Sequence, residues 1–336
     1  MSKRSEKYNR HLEWLKHRQE KIERHRRKKR KYGTNRIVSV GLRYTSDTII
    51  IDFPKIIDLY DKYRCRETLD FFNREFIDIG NYPNGIIFNF LHTRKITLSG
   101  GIITRCFFDF LNSKKARISF ENITSDKVKQ ILCHIGLLPE VKMTITYEDI
   151  YRWHIQSWDK TQTTRKKLKM DLISAIIKET TGWGERTTKH KRLYEIIPET
   201  LFNCIEHAYN GTEDFQKFYL FSGIANDNYV FCVLDRGMGF RATYEKRMKE
   251  FLRFDDMEND GDYIRFSIDQ DHSSILKEGR GNGLSTFKEN ILELGGHIFI
   301  HSYKGKVVVF PQKRDIQSEN RYPLVGSLLQ FSIPKR

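Results

Sequence analysis

Glu199, Asn203 and His207 recur at intervals of four within Glu199-Thr-Leu-Phe-Asn-Cys-Ile-Glu-His-Ala208. On an α-helix that spacing sets a carboxylate, an amide and an imidazole on one face. The carboxylate there can orient and deprotonate a water or a hydroxyl, and the amide one turn on can ligate Mg²⁺, which takes oxygen ligands. Further along, the apolar run Tyr229–Leu234 ends at Asp235, with Gly237 and Gly239 after it. An Asp at a strand end accepts a strong hydrogen bond from an exocyclic amine such as adenine N6, and the glycines let a planar base approach the backbone. A third signal, Gly279-Arg-Gly-Asn-Gly-Leu284, leads into a helical stretch and offers N–H groups and a positive helix end to phosphates. Arg280 and Lys277 stand beside it as candidate phosphate contacts. The fourth is the strand-like Gly326–Pro334. Each alone is common in turns and helix surfaces; four in this order point to a nucleotide.

This motif set resembles the GHKL family, the ATP-binding domains of gyrases, heat-shock chaperones, histidine kinases and MutL-type proteins. The resemblance covers about residues 146–336. Glu199, Asn203 and His207-Ala208 match the family's N box, and the pattern ETLFNCIEHAYNG is most similar to the anti-sigma-factor serine kinase branch. Asp235, Gly237 and Gly239 match the adenine box. Gly279, Gly281, Gly283 and Leu284 match the lid and phosphate box, and Ser327 stands where a Thr often supports the adenine pocket. The resemblance implies ATP and Mg²⁺ as cofactors, with Asn203 as the metal ligand and Glu199 as the catalytic base. It makes 240–278 the ATP lid, with the acidic stretch Asp255–Asp262 as a mobile insertion within it.

Elements must hold these residues in place. The expected class is α+β: a C-terminal α/β sandwich of the Bergerat ATP-binding type, a smaller α/β domain before it, and a basic N-terminal helix. The expected boundaries are 1–36, 37–145 and 146–336. A helix runs from about Thr188 to Asn210 and carries Pro198, which would kink it just before Glu199. Another spans Lys166–Lys178 with Leu168, Leu172, Ile173 and Ile176 inward, and Thr180–Lys191 reads as a surface loop. Upstream, Thr48–Phe53, Gly85–Phe90 and Arg117–Phe120 read as strands. Glu67–Ile79, Ile102–Leu111 and Ser125–Leu137 read as helices, the last capped by Ser125. The stretch IIFNFLHTRKITLSGGIITRCFFDFL resembles the core of STAS-type domains of bacterial regulators, in which a loop serine before the helix can be phosphorylated. Ser99 is the matching position, but Leu98 replaces the usual acidic neighbour. Ser99 is therefore read as the cap of a helix beginning near Gly101.

Charge and cysteine content bound the rest. Of the net +16, residues 1–36 hold 15 Lys/Arg against 4 Glu, leaving +5 for the other 300 residues. The tail reads as a helix ending near Gly33, and Arg26, Arg27, Lys28, Lys29, Arg30 and Lys31 repel one another unless a polyanion neutralises them. Nucleic acid is thus an expected partner, an expectation checked by deleting residues 1–36 and titrating salt. The five scattered cysteines form no CxxC pair, and no apolar run reaches the roughly 20 residues of a membrane span, so a cytoplasmic protein is expected.

The leading expectation is an ATPase whose nucleotide state regulates a protein partner or a nucleic-acid-associated complex, in regulation or defence, with a homodimer as a further expectation. The first alternative is a serine/threonine kinase of the partner-switching type, and the second a non-catalytic ATP sensor. A histidine kinase fits less well, because His154 lies in a strand-like stretch and His190 is too close to the ATP-binding helix. With the chain ending at Arg336, no transducer domain of the gyrase or MutL type is expected.

Overall fold

Ile49-Ile-Ile-Asp52, Ile86-Ile-Phe-Asn89 and Ile118-Ser-Phe-Glu121 are short runs rich in β-branched and aromatic residues, the composition of a strand packed against a core. In the computed structural model they pair in parallel, with Ile51 opposite Phe88 and Phe88 opposite Phe120. The structure describes residues 42–44, 48–73, 85–139, 153–209, 215–248, 257–269 and 283–335. The backbone divides into two units, Met1–Arg43 and Tyr44–Arg336. Of the first only Leu42 and Arg43 are described, in strand β1 (Leu42–Tyr44); the basic tail lies outside the described residues. The remaining described residues belong to the second unit.

That unit is mixed α and β, and among its described residues no helix is long and apolar enough to cross a membrane. Its first half comprises β2 (Ile49–Asp52), β3 (Ile56–Ile57), α1 (Lys62–Phe72), β4 (Ile86–Asn89), β5 (Lys95–Ile96), α2 (Leu98–Ser113), β6 (Ile118–Glu121) and α3 (Asp126–His134). Phenylalanines hold it together. Phe53 stacks on Phe90 at 4.4 Å between ring centroids, and Phe88 meets Phe108 edge-on at 4.9 Å.

Helix α2 begins earlier than its sequence suggests, and Ser99 is not its cap. Thr97 is: its Oγ1 accepts from Gly100 N at 3.2 Å. Ser99 is buried in the first turn, where its Oγ accepts from Leu59 N at 3.4 Å. The β-branched Thr97 can cap because its backbone stays extended against β3, with Thr97 N donating to Ile57 O. Thr97→Ala should therefore lower stability by about 1 kcal/mol in urea unfolding.

The second half comprises β7 (His154–Asp159), α4 (Met170–Thr181), α5 (Thr188–Asn203), β8 (Lys217–Ala225), β9 (Asn228–Asp235), α6 (Gly239–Met248), α7 (Asp260–Asp269), α8 (Gly283–Glu293), β10 (His297–Val309) and β11 (Ile316–Pro334). Its sheet is antiparallel throughout, in the order β10-β11-β9-β8-β7. Period-two alternation sorts β9 into two faces. Tyr229, Phe231 and Val233 join a core with Ile173, Ile177, Leu193, Ile197, Leu201, Phe287 and Ile291 from α4, α5 and α8. Asp235 falls on this same face.

The other face is covered by α2. Gly101 admits the Phe221 ring, and Tyr219 Oη donates to Asp109 at 3.0 Å. This explains why α2 is apolar nearly all round: it is buried between two sheets. Residues on either side of the expected boundary near residue 145 are thus packed against each other within the unit Tyr44–Arg336.

Several other elements differ from the sequence reading. Residues 257–262, expected within a mobile polar insertion, lead into and open α7, which is packed against β10 and β11. Asn259 Oδ1 accepts from Asp262 N at 3.2 Å while Asp262 Oδ2 accepts from Asn259 N at 3.0 Å, a reciprocal cap. Asp260 is buried and accepts from Lys304 N. The expected loop Thr180–Lys191 shrinks, since α4 runs to Thr181 and α5 starts at Thr188. The strand β10 and the first half of β11 have no counterpart in the sequence reading.

Candidate functional site

Helix α5 supplies the first wall. Thr187 caps it by accepting from His190 N at 3.2 Å, and Pro198 lies within it. At Asn203 the regular helix stops, and Cys204–Ala208 form a single π turn. Such turns widen the helix and often occur at functional sites. Here the turn ends with Ala208 O accepting from Met238 N at 2.7 Å, which clamps α5 to the connection after β9.

That connection requires glycine. A Cβ on Gly237 would lie 2.0 Å from Ala208 O, so any larger residue would push α5 away. Gly239 takes φ +78° and starts α6. Asp235 Oδ1 accepts from Gly237 N at 2.7 Å, fixing its carboxylate toward the helices. From β11, Ser327 sits opposite Asp235 in register, and its Oγ lies 3.0 Å from Ser302 Oγ. Ser302 Oγ also accepts from Phe240 N at 3.0 Å, tying the start of α6 to β10 beside a register shift.

These elements enclose a cavity of about 90 Å³ that opens to solvent. Asn203, His207, Asp235, Gly239, Leu284 and Ser327 all line it. Gly237 stands behind its wall in the turn, and Gly283 is the first residue of α8. Gly279, Arg280, Gly281 and Lys277 lie outside the described residues. Glu199 is not on the wall. Its carboxylate is one-third exposed and faces Arg165, with Nη2 to Oε2 at 3.6 Å.

The sequence reading missed several wall residues. Thr200 on α5 and Cys204 at the start of the π turn flank Asn203, and Thr243 follows Gly239 by one turn of α6; the helical period carried that signal. It also missed Arg165 and Glu206, whose Nε–Oε1 ion pair measures 2.6 Å. No local pattern joins residues 41 positions apart.

The electrostatics centre on Asp235. Burial pushes its carboxyl up from 3.8 to about 7, against the backbone N–H groups of Gly237 and Ser327, which favour the charged form. The Cys204 thiol is pushed well above its ordinary value by burial and by Asp235, so it is an unreactive wall group. The cavity thus sets one buried carboxylate beside the apolar Val233, Leu329, Leu284 and Ala208, with Thr200, Asn203, Thr243 and Ser327 as further polar side chains on its wall. That suits a flat heteroaromatic group carrying an amine. For Mg²⁺ the fit is of another kind: among the described residues no three His, Cys, Asp or Glu side chains group to hold a metal. Asn203 could supply one oxygen, leaving phosphates and water to complete the shell, as Mg²⁺ commonly allows.

No family model matches the chain, and no curated protein matches its sequence.

Proposed function

We propose that this cavity binds ATP with Mg²⁺, and that the protein is an ATPase of the GHKL type whose nucleotide state regulates a partner. The observation that carries the reading is Asp235, a buried carboxylate held by Gly237 N on a mostly apolar wall, with Asn203 at the end of α5 and His207 in the π turn lining the same cavity. In this reading Asp235 accepts from the adenine amine, and Asn203 holds Mg²⁺, which screens the charge of the phosphates. Glu199 is the base, and Gly283 and Leu284 begin the helix nearest the phosphates.

A second reading, nucleotide sensing without turnover, has a specific observation behind it: Glu199 faces Arg165 rather than the cavity. The kinase reading requires an added acceptor, because Ser99 is only 2% exposed. The STAS-like assignment of the first half belongs to the same proposal, with the parallel strands β2, β4 and β6 as its support.

The test follows free phosphate and protein-bound label together, with Mg²⁺-ATP, in the wild type, Glu199→Ala and Asn203→Ala. Free phosphate from the wild type and none from either variant is the expected result. Label transferred to an added protein would make it a kinase. Nucleotide binding with neither product would leave the sensor, and no nucleotide binding at all would end the proposal.

A further inference from the structure

The connection between β7 and α4, Lys160-Thr-Gln-Thr-Thr-Arg-Lys-Lys-Leu-Lys169, contains five cations and no carboxylate. It borders a second, open groove whose walls include Lys160, Arg165, Lys166 and Glu206. This groove shares His207 and Thr243 with the cavity of Asp235, so the two spaces adjoin.

Arg165 is oriented within it. Its guanidinium lies 4.3 Å from the centre of the Phe202 ring, and its Nε is paired to Glu206 at 2.6 Å. Its contact with Glu199, at 3.6 Å, is too long for a hydrogen bond. One edge of the fork is therefore fixed by Glu206, while Nη1 has no partner among the described residues. Lys160 and Lys166 likewise have no carboxylate partner among the described residues. Three cations thus face a groove whose one lining carboxylate is already engaged, with Glu199 at its margin. Cations brought together in this way favour a ligand with several negative charges.

We propose that this groove takes the polyphosphate end of the nucleotide whose base occupies the cavity of Asp235. Arg165, oriented by Glu206 and Phe202, is the forked donor, and Lys160 and Lys166 are point charges. The proposal rests on the reading of that cavity as a base site. It adds a phosphate-binding element from the β7–α4 connection, independent of the glycine-rich loop before α8. It also gives Glu199 a switch of surroundings: phosphate engaging Arg165 draws the guanidinium from that carboxylate.

The test measures binding of adenosine, ATP and inorganic tripolyphosphate by calorimetry to the full chain. The wild type is compared with Lys160→Gln/Lys166→Gln, Arg165→Gln and Arg165→Lys. Arg165 and Lys166 are exposed and Lys160 is half-buried, so the fold should survive, and the adenosine arm checks it. The wild type should bind ATP at least tenfold more tightly than adenosine. Both Gln variants should lose most of that margin with adenosine binding unchanged within twofold. Tripolyphosphate should bind the wild type and weaken in the same variants, with a shallower dependence on salt. Arg165→Lys should restore only some of the loss, because an ammonium lacks the fork. ATP binding unchanged in the variants would overturn the groove, as would equal losses for adenosine and ATP. Tripolyphosphate bound through these residues by a protein that ignores adenosine would instead overturn the base site and leave the anion groove standing.

Discussion

Asp235→Asn should weaken adenine-nucleotide binding while stabilising the protein at pH 8. The two effects have one cause. In the wild type Oδ1 accepts from Gly237 N, Ser327 N also bonds the carboxylate, Cys204 Sγ approaches Oδ2, and the group borders the cavity. An amide that keeps the Gly237 bond must turn its NH₂ toward the cavity, where it meets the exocyclic amine donor to donor. Losing a hydrogen bond to a charged acceptor costs about 2–3 kcal/mol, roughly 30- to 150-fold in Kd. Stability moves the other way. The folded-state carboxyl titrates near 7 against 3.8 for the ordinary group, so between those values the native chain binds more protons than the unfolded one. Stability therefore falls as pH rises from about 4 to 7 and is level above, at a cost of at most about 4 kcal/mol. The uncharged amide removes that slope. Thermal melts between pH 5 and 8 should show the wild type losing stability with pH and the variant changing less. Adenosine binding to the wild type should strengthen as pH rises toward 7 and then level, because the amine is accepted by the ionised form. Equal losses of stability and binding in the variant would make Asp235 a structural residue and remove the base site.

The legible and the hidden features of this site divide along a physical line. Asp235 could be read because a strand has period two: with Tyr229, Phe231 and Val233 inward, residue 235 must be inward too. Asn203 and His207 could be read from the helical period for the same reason. The orientation of Glu199 could not. It sits at the edge of the face that Asn203 and His207 share, and its surroundings are set by Arg165, which reaches it from a connection 34 positions earlier. The π turn was hidden as well, since Cys204–Ala208 is an ordinary helical sequence whose widening accompanies the Ala208–Met238 bond. The start of α7 was misread because acidic residues next to glycine resemble a solvated loop. Asn259 and Asp262 instead satisfy each other's backbone N–H groups, and Asp260 meets Lys304 N and Arg241. Strand β10 escaped because Ser302-Tyr-Lys-Gly305 breaks its alternation at the register shift. Local periods were informative wherever one element faced one core, and failed wherever a partner distant in sequence set the outcome.

Gly326→Val should abolish the native fold or destabilise it by more than about 4 kcal/mol, the largest effect expected of any single change here. Gly326 precedes Ser327 in β11 and has φ +95°, a conformation that L side chains rarely adopt. A Cβ there would lie 1.9 Å from Asp235 O and 2.7 Å from Arg236 Cα. Both obstacles are backbone, so no rotamer change relieves them. The strand must separate from β9 at the point where Asp235 is held, or the connection bearing Gly237 must move and carry Ala208 with it. Gly295→Ala separates conformational strain from collision. Gly295 also has positive φ, at +71°, but a Cβ there meets nothing within 4 Å. It should cost only about 1–2 kcal/mol, the strain of a left-handed residue. Urea unfolding of the two variants side by side provides the comparison, with adenosine binding measured on whatever Gly326→Val protein remains folded. If the two variants lose similar stability, close approach of β11 to Asp235 is not what this glycine provides. If Gly326→Val alone collapses, the antiparallel register that sets Ser327 opposite Asp235 depends on a residue with no side chain, and the cavity's polar end depends on it too.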